Sequence, residues 1–365
     1  MISHGSNSQS QKYSWIDVAR TIGAFFVILI HVSDMYTTNL FKSSDLFNWI
    51  SVVSLNVIPR SAVPLFVIVS GYVLLGKQDS VRKRVGKLIK PLLFWSLFYL
   101  LLALALSGKD NGDFIKQLLI RSPLGIWAAG THLWFLYMLL GLYISLPISR
   151  LLFKHLDLEG YMALCIAFLL NSLIYHVTSI WFLITGESVS SFYSEGLGWG
   201  SIYFGYFLLP KLIIENKHHK PKDIYLLLSL VLSTLIAFLL TFFTSLKSGI
   251  FTKAWEEPQS IFIIIQTFSI ILLLQSNEWK IQKVFSKSAL LKKIIEISSR
   301  HALGIYAVHW FVIRLVFYII DRASWKVYLH NSLGITIILI AIITWLSSLL
   351  ISTIASKNTF LKQVF

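Results

Sequence analysis

The sequence predicts an all-α integral membrane protein of about ten transmembrane helices, with both termini in the cytoplasm and a polar cleft within the bundle. Three observations carry this. Of the 365 residues 56% are hydrophobic and 13% charged, with a mean hydropathy of +0.71, more apolar surface than an ordinary water-soluble domain hides. Apolar runs of roughly 20 residues, the length that crosses about 30 Å of hydrocarbon, recur from end to end. The basic residues are uneven: alternate connections starting from the N-terminus hold 21 Lys and Arg, the opposite connections 8. That asymmetry is the positive-inside pattern, so the net charge of +15 reports topology and gives no reason to expect nucleic acid as a partner.

The expected spans lie near 15–35, 50–75, 89–107, 131–149, 160–181, 198–214, 224–245, 258–275, 302–320 and 332–354. They divide the chain into an N-terminal tail, 1–14, a membrane-embedded domain, 15–356, and a C-terminal tail, 357–365. No cleavable signal peptide is expected, because Asp17 and Arg20 interrupt the start of the first apolar segment. The single cysteine, Cys165, has no partner for a disulfide or a thiolate site. The 12 Trp, 15 Tyr and 26 Phe fit lipid boundaries and bundle packing as readily as subunit contacts, so they assign no oligomeric state.

The first span carries Asp17, Arg20 and His31. Eleven residues separate Arg20 from His31, about 16 Å along a helix. Eleven steps of about 100° bring the two back to within about 20° of one face. Polar groups on a spanning helix face a bundle interior or a cavity, so this stripe is expected to line a cleft, with Asp17 placed to pair with Arg20. Taken singly, Arg20 also fits a snorkelling residue and His31 a packing residue.

The second span, "NVIPRSAVPLFVIVSGYVLLG", brackets Arg60 with Pro59 and Pro64. Proline frees carbonyls in a spanning helix, and such breaks accompany cavities, so Arg60 is a third candidate for an interior site. The following "VRKRVGKLIKP" places Arg82, Arg84 and Lys87 at the cytoplasmic surface, with Pro91 set to begin or kink the third helix. This spacing suits phosphate groups and equally suits anionic lipid.

His132 and Trp134 open the fourth span at the expected outer interface. The outer loop "TGESVSSFYSEGLGW" offers Glu187 among polar and aromatic residues able to meet a sugar, a composition also ordinary for interfacial loops. The ninth span, entered through "SSRHALGIYAVHWFVIR", brings Arg300 in from the cytoplasm, His309 near mid-span and Arg314 beyond it. So many cationic groups with few buried acids suggest an anionic ligand or developing negative charge. No P-loop, Rossmann glycine pattern or zinc-ligand spacing is present, and no metal is expected.

Arg20 and His31 with ten residues between them, "VPLFVIVSGY" at 63–72, "RKRVGKLIKP" at 82–91, "HLWFLY" at 132–137 and "SRHALGIYAVH" at 299–309 together resemble the membrane acyltransferase-3 family, in the family's order and over nearly the whole chain. Within it, "YSWIDVAR" at 13–20 and "SSRHALGIY" at 298–306 are similar to the enterobacterial common antigen O-acetyltransferase branch. The resemblance implies a multi-pass protein of the bacterial inner membrane that moves acetyl groups from cytoplasmic acetyl-CoA to a sugar hydroxyl of a cell-envelope or lipid-linked glycan. N-acetylglucosamine is the acceptor sugar this branch suggests.

It makes His31 and Arg20 the essential pair, with Asp17 holding Arg20. In this reading Arg82, Arg84, Lys87 and Arg300 hold the phosphates of acetyl-CoA, and His31 is a general base. Arg60, His309 and Arg314 are candidates for an oxyanion or interior site, and His132, Trp134 and Glu187 for the acceptor side. Direct transfer and a double displacement through acetylated His31 both fit the residues. No appended transferase domain is expected, so transfer is expected to finish within the bundle or at its outer face. An exporter or flippase of a glycan intermediate is the alternative from another class.

Overall fold

The computed structural model describes residues 13–41, 45–107, 130–185, 198–210, 221–249, 251–322 and 332–365. Without water in the hydrocarbon, a backbone satisfies its own polar groups as helix or closed barrel, and every regular element among the described residues is helical. The first half comprises α1 (Ser14–Phe41), α2 (Leu46–Val57), α3 (Ala62–Leu74), α4 (Val81–Ser107), α5 (Trp134–Ile144), α6 (Leu146–His155) and α7 (Leu158–Thr185). The second comprises α8 (Gly198–Leu208), α9 (Asp223–Ser248), α10 (Ile261–Ser276), α11 (Glu278–Lys287), α12 (Ala289–Arg300), α13 (Ala302–Arg322) and α14 (Leu333–Ala355).

Among the described residues, seven helical segments are long and apolar enough to cross a membrane. The count reaches nine if the pairs α5–α6, bent by 57°, and α10–α11, bent by 62°, each form one span. Of the remaining expected span, 198–214, the described residues 198–210 hold α8, and 211–214 lie outside the described residues. The chain is a multi-pass membrane protein.

Its radial pattern says the same. On α9 the buried positions include Ser233, Ala237, Thr241 and Ser245, while Val231, Leu232 and Phe243 are more than half exposed. On α14 Thr344, Ser348 and Ser352 are buried and Leu339, Ile343 and Leu350 are exposed. Small and hydroxylated side chains face the bundle and large apolar ones face outward, the arrangement of helices solvated by lipid.

The central element is α1, packed on α2, α3, α12, α13 and α14. At one end of the bundle the backbone N–H groups of Ser14 and Trp15 donate to Glu278 at 2.8 and 2.7 Å, and Arg150 donates to Asp79 at 2.6 Å. At the same end Lys90 donates to Gln363 and the Trp95 indole donates to the Val364 carbonyl. Asp79 shows the charge of this end: burial alone would raise its carboxyl, and hydrogen bonds from Arg84 and Arg150 hold it below the usual carboxylate range. At the opposite end Lys253 meets Asp34 at 2.8 Å and the Leu333 N–H meets Asn48. The connections richer in Lys and Arg thus gather at the end that holds both ends of the described chain.

Two local features position the site. The prolines of the second span produce a 3₁₀ turn, Ile58–Ser61, between α2 and α3, within one apolar segment, Leu46–Leu74. The expected start of the third span near residue 89 is corrected: α4 begins at Val81 and carries Pro91 inside it. The basic stretch is therefore its first turns, with Leu88, Leu92, Trp95 and Tyr99 buried along one face. In α3, Gly71 lies against the end of α8 so closely that an added Cβ would collide with the Phe207 carbonyl oxygen.

Candidate functional site

At the basic end, α1, α3, α4, α5, α12 and α13 line an open cavity of about 370 Å³. Arg20, Arg84, Lys87 and Arg300 line its polar side, and Phe66, Phe135 and Tyr306 line its apolar side. Two contacts tie α1 to α12: Asp17 accepts a hydrogen bond from Ser299 Oγ at 2.6 Å, and Thr21 donates to the Ile295 carbonyl at 3.2 Å. Arg20 and Arg300 thereby meet at one cavity from segments 280 residues apart in the chain. Arg84 is further held by an ion pair with Asp79. Arg82 is exposed and absent from the lining. The expectation that it joins Arg84 and Lys87 is corrected, because on a helix residues 84, 87 and 88 share a face that 82 does not.

Beyond the apolar wall three imidazoles converge. The ring centroids of His31 and His309 lie 5.3 Å apart with planes 28° from parallel, and His132 meets His309 edge-on at 5.2 Å. Trp310 closes the group, 5.3 Å from His31 and 5.9 Å from His132. The Tyr306 ring, already part of the cavity wall, is 5.5 Å from His309, and its hydroxyl donates to the His132 carbonyl. Cavity and imidazole cluster therefore share a wall.

Their polar groups differ in how they are held. His309 is fully buried and its Nδ1 faces the Tyr306 carbonyl. A carbonyl accepts but cannot donate, so Nδ1 carries the proton and Nε2 presents a lone pair. That Nε2 is buried with no hydrogen-bond partner among the described residues. A neutral ring in this tautomer is an acceptor, so of the two expectations for His309 the interior position is the one its complete burial fits, and not the oxyanion donor. His132, expected at the outer interface, is 2% exposed and belongs to the buried cluster. His31 is half-buried.

On the side of His31 away from the cavity lies an ionic network. Arg60, in the 3₁₀ turn, pairs with Glu256 at 2.6 Å and with Asp34 at 3.6 Å, and it also donates to Asn56. Asn56 donates to Ser33 and Asp34, both at 2.8 Å, and Lys253 pairs with Asp34 at 2.8 Å. The expectation of few buried acids among the interior cations does not hold at Arg60, which has Glu256 and Asp34 beside it. Glu256 is completely buried in the 251–260 connection, and burial pushes its carboxyl up to about 7 despite the opposing charges of Arg60 and Lys253.

Arg314 is exposed, which corrects its place among interior candidates. Trp134 is half-buried against Phe135 and Tyr203, and Glu187 lies outside the described residues. Sequence reasoning missed Asp34, Asn56, Lys253, Glu256 and Tyr306. Asp34 carried a signal, standing three residues after His31 and so on a neighbouring part of the same face.

No group of three or more His, Cys, Asp or Glu among the described residues is placed to hold a metal ion. No curated protein and no solved structure matches the chain. The acyltransferase-3 family model, described as an acyltransferase domain, matches residues 13–356. With a basic cavity and an imidazole cluster built from helices across that whole stretch, the chain belongs to the acyltransferase-3 family.

Proposed function

We propose that this acyltransferase is an O-acetyltransferase of the bacterial inner membrane. It takes acetyl from cytoplasmic acetyl-CoA and esterifies a sugar hydroxyl of a cell-envelope or lipid-linked glycan. The observation that supports this reading most directly is the shared wall: a cavity lined by Arg20, Arg84, Lys87 and Arg300 backs onto the cluster that contains His31. The end of the bundle rich in Lys and Arg is taken as cytoplasmic, so the cavity opens toward the donor. Arg84, Lys87 and Arg300 hold its phosphates, and Arg20, kept in place by the Asp17 to Ser299 contact, orients the part that reaches inward. The thioester end then spans the roughly 16 Å of α1 between Arg20 and His31.

His31 acts as general base. It takes the proton of the sugar hydroxyl as the hydroxyl oxygen attacks the thioester carbonyl carbon, and returns that proton to the sulfur as the C–S bond breaks. The ester and free coenzyme thiol leave with no net change in protons. N-acetylglucosamine of enterobacterial common antigen is the acceptor favoured by the sequence motifs at 13–20 and 298–306.

The test uses purified protein in proteoliposomes with labelled acetyl-CoA and a set of lipid-linked envelope glycans that includes one ending in N-acetylglucosamine. The expected result is label in an alkali-labile ester on glycan and stoichiometric free thiol. Movement of glycan across the bilayer with no acetyl-CoA consumed would overturn the transferase reading in favour of an exporter.

A further inference from the structure

A base of this kind works best when a third group fixes its tautomer and stabilises its charged form. The nearest acid on α1, Asp34, is taken up by Asn56, Lys253 and Arg60. The group facing His31 at short range is instead His309, whose proton is committed to the Tyr306 carbonyl and whose Nε2 is buried and unpartnered among the described residues. We propose that His309 is the positioning residue for His31, accepting a hydrogen bond from it through Nε2 in the place a carboxylate fills in other catalytic triads. This rests on His31 being the base.

The chain of contacts then has one sense. The Tyr306 carbonyl accepts from Nδ1 of His309, and Nε2 of His309 accepts from one ring N–H of His31. That leaves the other His31 nitrogen with its lone pair toward the sugar hydroxyl. When His31 takes the hydroxyl proton it becomes a cation whose N–H points at the His309 lone pair, and the proton goes on to the departing sulfur. His309 itself gains and loses nothing.

The geometry suits the assignment. His309 is fully buried and anchored to the Tyr306 carbonyl, whereas His31 is half-buried. The two rings stand 5.3 Å apart without a direct hydrogen bond in this arrangement. A modest rotation of His31 brings an N–H onto the lone pair, the tightening expected when substrate binds. His132 stands edge-on to His309, with ring centroids 5.2 Å apart.

Two substitutions separate the role from packing. His309→Asn keeps an amide near the Nδ1 position, able to donate to Tyr306, and removes the acceptor at Nε2. His309→Gln places a carbonyl near Nε2. The measurements are nitrogen NMR of histidine-labelled protein in micelles and steady-state acetyl transfer. Wild type and His309→Gln are expected to hold His31 in one tautomer, and His309→Asn to give the average of two. The Asn variant is expected to lose about 100-fold in kcat with donor KM within about twofold of wild type, and the Gln variant to recover at least a tenth of wild-type kcat. A single His31 tautomer in both variants, or equal kcat in both, overturns the proposal. If the tautomer result holds while wild type transfers no acetyl to any glycan, the transferase reading fails and the His31–His309 pairing stands.

Discussion

The two ends of the bundle use the same residue types differently. Around the basic cavity Arg20, Arg84, Lys87 and Arg300 outnumber the acids beside them, Asp17 and Asp79, and the space between them is open. At the other end Arg60 and Lys253 are matched by Asp34 and Glu256 and closed into a network. A buried cation with its acid in place is chiefly a structural commitment, since removing one partner strands the other. An excess of cation around a void leaves charge for a ligand. The comparison separates an open basic cavity from a closed ionic network, and it puts His31 at the boundary between the two regions.

Removing His31 should have the largest effect. His31→Ala is expected to reduce transfer by about 10²–10⁴-fold, the range for a general base, with the donor dissociation constant unchanged because the cations of the cavity are intact. Next comes the double variant Arg84→Ala, Lys87→Ala. Charge-assisted hydrogen bonds contribute about 1.5–3 kcal/mol each, so acetyl-CoA affinity measured by calorimetry should fall by at least about tenfold and lose part of its salt dependence. Unchanged affinity would make the two ends alike.

Gly71→Ala tests the scaffold between the two regions. With the Phe207 carbonyl oxygen in the path of the added Cβ, α3 and α8 must separate. A loss of about 1–3 kcal/mol is expected as a lower melting temperature.

The ionic end is tested by pH. Burial pushes the Glu256 carboxyl up to about 7 from its ordinary 4.5. Between those values the folded chain keeps a proton that the unfolded chain releases, so stability should fall as pH rises through that window and level off above about 7. Glu256→Gln should flatten this part of the melting curve against pH, and an identical slope in the variant would remove Glu256 as its source. The smallest effect belongs to Arg314→Gln: an exposed side chain outside both regions should leave transfer within about twofold of wild type.

Much of this was legible in the sequence where one helix carries the information. Arg20 and His31 share a face because the helical period says so, and Pro59 and Pro64 announce the turn that holds Arg60. The period also separates Arg314 from His309: five steps turn the side chain about 140° away. Boundaries were harder. Five basic residues in "VRKRVGKLIK" read as a surface stretch ahead of the span, yet they begin α4 because tertiary packing of Leu88 and Leu92 extends the helix.

What spacing does not encode is convergence. His31, His132 and His309 lie on three segments more than 100 residues apart in the chain, and their meeting follows from packing of α13 on α1. Glu256 stood in a short polar connection, where burial of a carboxylate has no sequence signature.

The central claim, that the basic cavity serves His31, is tested most directly by measuring acetyl-CoA binding and acetyl transfer together for reconstituted wild type and His31→Ala. The account predicts equal donor affinity in the two proteins and ester formation in wild type alone. Transfer by His31→Ala at the wild-type rate would contradict it.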